Sequence, residues 1–400
     1  MRAHIHSIKM LPSQGMSADF STILSLVNSA IHLRPIAPEI KYLDFRAVIY
    51  CARRQGVDSL LADIPLKSHV RSEDLPVFSQ WLSSIVQLEM SHMTTDAEIV
   101  RITSVFAAAG VRYALIKGQC SAANYPHPIH RHIGDIDIYV VPQDYERARA
   151  LMMDLKYVYK SESEAHTNYV CGKYDLELHK CLQHLNFPLT NRRLRRYMER
   201  HFDNANIALP TMPMLGQQVC ILPPEIEILL HTLHIRKHLI SSGIGLRHIY
   251  DWAMCWERYK CEVDWPQLHR ILEETHAMRT FRIIFYFAVT HLDFPWSEKM
   301  LGGSPLTSLE RGFAARLWRR IEATGNFNKD VNYGHGLRAF FGMYGTYLKR
   351  FVATCGLSHT EVLFTFIADL RKLFSGRVKF SNTKKFLRES VIGRVWRGLA

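Results

Sequence analysis

The 400-residue chain has no uninterrupted apolar run approaching the roughly 20 residues that span a bilayer. Its opening stretch, Met1 to Gly15, has neither an apolar h-region nor a small-residue cleavage site, so a cytoplasmic location is expected. The eight cysteines are scattered without a CxxC pair, which removes the usual sequence signature of zinc or redox chemistry and favours buried reduced thiols. The 21 histidines include no HExxH. His231, His234 and His238 share one helical face that Glu227 could join one turn earlier, and a structural or surface role is expected for them. No internal repeat occurs.

What is present is a chain that is 48% hydrophobic, ample for real cores, with a net charge of +13. Much of that charge is terminal. From Arg371 to Ala400, Arg371, Lys372, Arg377, Lys379, Lys384, Lys385, Arg388, Arg394 and Arg397 face a single acid, Glu389. This tail, interleaved with Phe374, Phe380, Phe386 and Trp396, could make a weak peripheral contact with an anionic membrane, although a helix packed on its own domain is the plainer expectation. A second basic stretch, Arg192 to Arg200, reads as a solvated helix face. Nucleic acid is not an expected partner, because no RNA-reading motif accompanies the charge.

Apolar spacing of three and four predicts helices over Phe45 to Leu61, Leu75 to Met93 and Thr95 to Ala109. The period then changes. Val111 to Ile116 reads as a strand, Lys117-Gly118 as a turn and Gln119 to Asn124 as a helix. After Pro126 and Pro128, Asp135 to Val141 reads as a second strand that Pro142 ends, and Gln143 to Leu155 as a helix. Strands are expected around Tyr157 to Lys160, Thr167 to Cys171 and Tyr174 to His179. Helices resume beyond Pro188, with a boundary at Pro295 and Gly302-Gly303-Ser304-Pro305. The expected division is a helical region at 1–108, an α/β unit at 109–187, a helical domain at 188–296 and a C-terminal helical region at 297–400.

Within Asp135-Ile136-Asp137 the two acids, two apart on a strand, project from one face. Such a repulsive pair is tolerable where a hard cation neutralises it, and Mg²⁺ or Mn²⁺ takes carboxylate oxygens together with substrate phosphates. Glu177, between Leu176 and Leu178 on another strand, completes a triad if the strands are neighbours, as a ligand or a general base. Gly118 at a helix start, with Lys117 and Gln119 flanking it, suits phosphate. Arg131 and Lys173 are further candidates for phosphate or an anionic acceptor.

Lys117-Gly118, Tyr125-Pro126, Arg131, Gly134 to Val140 and Glu177-Leu178-His179, in this order over 111–180, resemble the uncharacterised bacterial nucleotidyltransferase family of the DNA polymerase beta-like superfamily. The resemblance implies an α+β fold: a minimal nucleotidyltransferase core, a small mixed sheet with helices, flanked by N-terminal and C-terminal helical regions. It implies Gly118 in the phosphate-binding turn and Asp135, Asp137 and Glu177 as metal-binding acids. Transfer of a nucleoside monophosphate from an NTP such as ATP to an acceptor hydroxyl is then expected, the acceptor being a small molecule, a sugar or a protein. An antitoxin-like regulator that adenylylates a partner protein, or a noncatalytic nucleotide-binding scaffold, are the alternatives. Two departures stand out: the superfamily's Gly-Ser turn is Gly118-Gln119 here, and the distance from it to Asp135 is long. Leu246 to Asp251 is similar to helices packed beside the core in this family, with Arg247 either a substrate contact or a helix ion-pair partner of Asp251.

Overall fold

The computed structural model describes residues 20–296, 305–324 and 336–374. The chain opens with α1 (Phe20–Ile31), α2 (Phe45–Gln55) and α3 (Leu75–Ala108). The α/β part runs β1 (Tyr113–Ile116), α4 (Gly118–Ala122), β2 (Ile136–Val140), α5 (Tyr145–Asp154), β3 (Val158–Glu162), β4 (His166–Cys171) and β5 (Tyr174–His179). After α6 (Pro188–His201), a hairpin of β6 (Thr211–Met214) and β7 (Gln217–Cys220) precedes α7 (Pro224–Ser241), α8 (Leu246–Tyr259), α9 (Trp265–Glu274) and α10 (Met278–His291). The last described helices are α11 (Ser308–Thr324), α12 (Gly336–Thr354) and α13 (His359–Phe374). The fold is α+β, as expected.

Five strands form one mixed sheet in the order β1-β2-β5-β4-β3. Only the central pair, β2 and β5, is parallel; the other neighbours are antiparallel. Alternation along the strands divides two cores. Leu115, Ile136, Ile138, Val140, Leu176 and Leu178 face a smaller core, closed by Ile99, Ile102 and Phe106 of α3 and Ala148 and Met152 of α5. Ala114, Ile116 and Tyr139 point the other way, into a larger core shared with the helices. Asp137 and Glu177 lie on that second face, at the seam between sheet and helices.

The larger core is centred on aromatics of α8 and α10. Trp252 and Trp256, one turn apart, stack with ring centroids 5.8 Å apart, and Phe281 and Phe285 meet them edge-on. The buried indole of Trp252 donates to Thr232 Oγ1 on α7 at 2.9 Å, which meets the cost of burying its N–H.

Two elements differ from the sequence expectation. The two helices expected either side of Thr94 are one helix of 34 residues. The Thr94 hydroxyl donates back to the Met90 carbonyl at 3.1 Å, so the polar run stays within the helical ladder instead of breaking it. The β6–β7 hairpin falls where helix was expected; Leu215 and Gly216, both at positive φ, make its turn. The expectations for Gly302-Gly303-Ser304 and for the basic tail beyond Phe374 lie outside the described residues.

Gly245 sets the approach of α2 to α8. A Cβ there would sit 2.5 Å from the Gln55 carbonyl oxygen and 2.9 Å from its carbon, closer than such atoms pass. Gln55 itself is buried, accepts from the Leu246 amide and donates to the Ile321 carbonyl, so it joins α2, α8 and α11. Gly245→Ala is therefore expected to lower stability by about 1–3 kcal/mol, the usual cost of overpacking. Urea unfolding checks this: an unchanged midpoint would mean that α2 can retreat at no cost.

Candidate functional site

The site grows from the register of the central strands. β2 and β5 place Asp137 beside Glu177, and β1 places Ile116, and therefore Lys117, beside Asp137. β4 sets Asn168 against Glu177 and His166 against His179. Because residues two apart on a strand share a face, His179 joins Glu177 and Asp137. Asp135 stands exposed just ahead of β2, Asp137 is buried and Glu177 is half-buried.

Buried carboxylates need compensation, and Asp137 has two partners on one oxygen. Lys117 Nζ donates to Oδ1 at 2.9 Å, and His179 Nε2 lies 2.8 Å from the same atom. Burial alone would raise the Asp137 pKa; Lys117 and His179 together outweigh it and hold the carboxyl well below the usual range. Glu177 is likewise pushed up by burial but lowered on balance, mainly by His179, whose Nε2 is 3.3 Å from Oε2. Asp135 is raised on balance: partial loss of hydration beside the sheet, then the negative charges of Glu177, Asp137 and Asp175, outweigh the attraction of Lys160. On helix α7, Lys237 is exposed as a residue, yet partial loss of hydration and then the charge of Lys117 push it below the ordinary lysine range.

The turn after β1 is strained. Lys117 has φ 55° and Gly118 φ 35°. A positive φ in a lysine costs roughly 1–3 kcal/mol, and such strain collects at functional turns. A Cβ on Gly118 would meet only the Asp135 carbonyl oxygen at 3.7 Å, an ordinary contact. Backbone conformation, then, not crowding, calls for glycine here. Gln119 is buried within α4.

Arg131 is placed differently from the phosphate-facing role expected of it. Its Nε and Nη2 donate to the two oxygens of Asp251 at 3.0 and 2.6 Å, and Nη1 donates to the Gly118 carbonyl at 3.2 Å. Every arm is engaged and the residue is buried, so it braces the turn from beneath. Tyr125 OH also donates to Asp251, at 2.8 Å. Asp251 thus pairs with Arg131 in preference to the helix partner Arg247, whose stem packs beside Gly56, 3.4 Å from where a Cβ there would lie. Lys173 sits exposed at the β4–β5 turn, at the same end of the sheet as Asp135, and donates to Thr94 Oγ1 at 2.7 Å.

Sequence reasoning gave no site role to His166, His179 or Lys237, although His179 stands in the motif that carries the resemblance. The i+2 spacing from Glu177 could have flagged His179; His166 and Lys237 arrive through register and helix packing, which the sequence does not display. The acids offer hard oxygen donors of the kind Mg²⁺ and Mn²⁺ take, and the repulsion raising Asp135 is what a cation would relieve. His166, Glu177 and His179 also bring donor atoms within 4.8 Å of one another.

A family model described as an uncharacterised nucleotidyltransferase matches residues 42–293. No curated protein matches the chain. Among solved structures, the antibiotic-resistance factor ANT(2'')-Ia in solution is 14% identical, with 50% of this chain and 96% of that one covered and a TM-score of 0.33. An antigenic nucleotidyltransferase-like protein from Paracoccidioides brasiliensis is 13% identical, with coverages of 54% and 94% and a TM-score of 0.34. A tRNA nucleotidyltransferase complexed with a primer tRNA and an incoming ATP analogue is 12% identical, with coverages of 74% and 91% and a TM-score of 0.20.

Asp251→Asn should cost about 3–5 kcal/mol, because it strands a buried guanidinium. The Asp251 pKa is lowered: burial raises it, and Arg131 more than reverses that. Its contribution is therefore complete above the unfolded value of about 3.9 and fades as pH falls below it. Denaturation of both proteins between neutral pH and pH 3 should show the gap narrowing only at the acid end. A gap that widens there would contradict this assignment.

Proposed function

The chain belongs to the uncharacterised nucleotidyltransferase family, and from that membership we propose that it transfers a nucleoside monophosphate from an NTP to an acceptor hydroxyl, with Asp135, Asp137 and Glu177 at the reacting centre. The observation that supports the proposal is the pairing of Asp137 with Glu177 on adjacent strands beside the strained Lys117-Gly118 turn, with Asp135 just ahead of β2 and within reach of both charges.

In the transfer, the acceptor oxygen bonds to the α-phosphorus as the bond to the leaving pyrophosphate breaks, and the acceptor proton passes to a base. A divalent cation held by the acids would neutralise phosphate charge and lower the pKa of the acceptor hydroxyl. The chain's own residues do the positioning. Lys117 and Lys237 bring positive charge to the face where a triphosphate would lie, and His179 fixes the Asp137 carboxylate from the side. Glu177 is a ligand or the base. The Gly118 turn offers backbone amides to phosphate, with Arg131 holding the turn in place. No described helix is long and apolar enough to cross a membrane.

The test is release of pyrophosphate and transfer of label from each common NTP, with Mg²⁺ or Mn²⁺, into lysate fractions. Asp135→Ala combined with Asp137→Ala should lower transfer by at least about a hundredfold, the scale of losing charge stabilisation at a reacting centre. Label collecting in one dominant protein would identify a partner-modifying regulator, whereas label in small molecules or sugars would identify a metabolic acceptor. No transfer, together with no metal-dependent NTP binding, would sink the enzyme reading and leave a noncatalytic scaffold.

A further inference from the structure

α7 is buried around most of its circumference, yet it carries charge and imidazole inside the protein. Glu227 is 3% exposed, and neither of its carboxylate oxygens has a hydrogen-bond partner. His231, one turn on and also buried, has Nε2 3.3 Å from Glu227 Oε1 without hydrogen-bond geometry, and 3.4 Å from Ser121 Oγ on α4. A buried carboxylate left this way is strongly destabilising unless something cationic meets it.

What lies opposite is a thiol. Cys255 of α8 is fully buried, and its sulfur, a Glu227 oxygen and a His231 nitrogen all fall within 4.8 Å of one another. Beside them is a cavity of about 20 Å³, enough for one water or ion, lined among others by Cys120, Met212, Glu227 and Arg258. Arg258 lines this space but forms no ion pair with Glu227 among the described residues. Oxygen, nitrogen and sulfur donors at this spacing need to draw in only slightly to reach the separations of about 3.3–3.8 Å found around tetrahedral zinc.

We propose that Glu227, His231 and Cys255 form a structural zinc site that ties α7 to α8 beneath α4, with Cys120 or a water in the cavity as the fourth ligand. The donor set selects the metal: thiolate and imidazole favour zinc over magnesium, and the carboxylate with one thiolate balances its double charge. Cys255 binds as the thiolate, so its proton leaves to solvent as the ion enters. The helix supplies two ligands one turn apart on one face and the next helix supplies the third, so the ion closes the α7–α8 hairpin. This site is separate from the carboxylates of β2 and β5 and stands whether or not the transfer reaction does.

The full chain, purified without a histidine tag, should retain equimolar zinc through dialysis against EDTA, as read by mass spectrometric metal analysis. Replacing the zinc with Co²⁺ should give tetrahedral visible bands and a near-ultraviolet thiolate-to-cobalt charge-transfer band. Cys255→Ser should abolish the charge-transfer band and weaken zinc binding by more than about a hundredfold, the upper end for loss of mere outer-shell partners. Cys261→Ser, at an exposed cysteine, should leave the band intact. Glu227→Gln keeps side-chain volume and the thiol, so loss of zinc with unchanged far-ultraviolet circular dichroism separates a missing ligand from misfolding. If the wild-type chain neither retains nor binds zinc at micromolar concentration, or if Co²⁺ binds without a thiolate band, the proposal is overturned and Glu227 is left to His231 alone.

Discussion

The Arg131–Asp251 pair is buried, and it joins the segment ahead of β2 to helix α8. Arg131 follows the short segment after α4 and reaches both Asp251 on α8 and the Gly118 carbonyl. A bidentate guanidinium–carboxylate pair fixes angle as well as distance. The turn that ends β1 is consequently held against the helical core rather than resting on the five residues of α4, too short to be stable alone. Since Lys117 adopts a conformation that a lysine resists, something must hold it there, and this pair is the nearest rigid anchor.

From that anchor the electrostatics of the sheet face follow. With Lys117 fixed, its ammonium lies on Asp137, and His179 completes the compensation from the neighbouring strand. Asp137 is therefore ionised and ordered before anything binds. Asp135 has no hydrogen-bonded cation of that kind, and the charges of Glu177, Asp137 and Asp175 raise it more than Lys160 lowers it. The face is thus graded, neutralised at its buried end and repulsive at its exposed end, and the proposed function would bring a cation and its phosphate to the exposed end.

The strands over Val111 to Ile116, Asp135 to Val141 and Tyr174 to His179 were legible in the sequence: the first is a short apolar run, buried throughout its strand, and in the other two acids alternate with apolar residues that face the core. The adjacency of β2 and β5 could be posed only as a condition, since register is a property of pairing and not of either strand. The partner of Arg131 was hidden for a related reason. A lone arginine beside a glycine turn reads as a phosphate contact, and its buried acid lies 120 residues away on a helix whose own arginine, Arg247, offers a simpler partner. The β6–β7 hairpin was missed because Pro210, Pro213 and two glutamines dilute its alternation, leaving Leu215-Gly216 as the one turn signal.

α7 shows how far such placement can go. Its residues 227, 231, 234 and 238 recur at the spacing of one helical stripe, which in sequence suggests an exposed polar face. In the fold that stripe is buried at Glu227 and His231 and partly buried at His234 and His238, and its neighbours change along its length. Near the start it meets Cys255 and Ser121. Further on it meets His248 of α8 and the charge of Lys117. One helix therefore contacts both the α8 hairpin and the turn above Asp137. Polar groups are costly in such a place, and apolar residues would pack α7 equally well. Their arrangement in sets, carboxylate and imidazole against thiol at one end and the three imidazoles of His234, His238 and His248 gathered at the other, is what a packing role alone does not require.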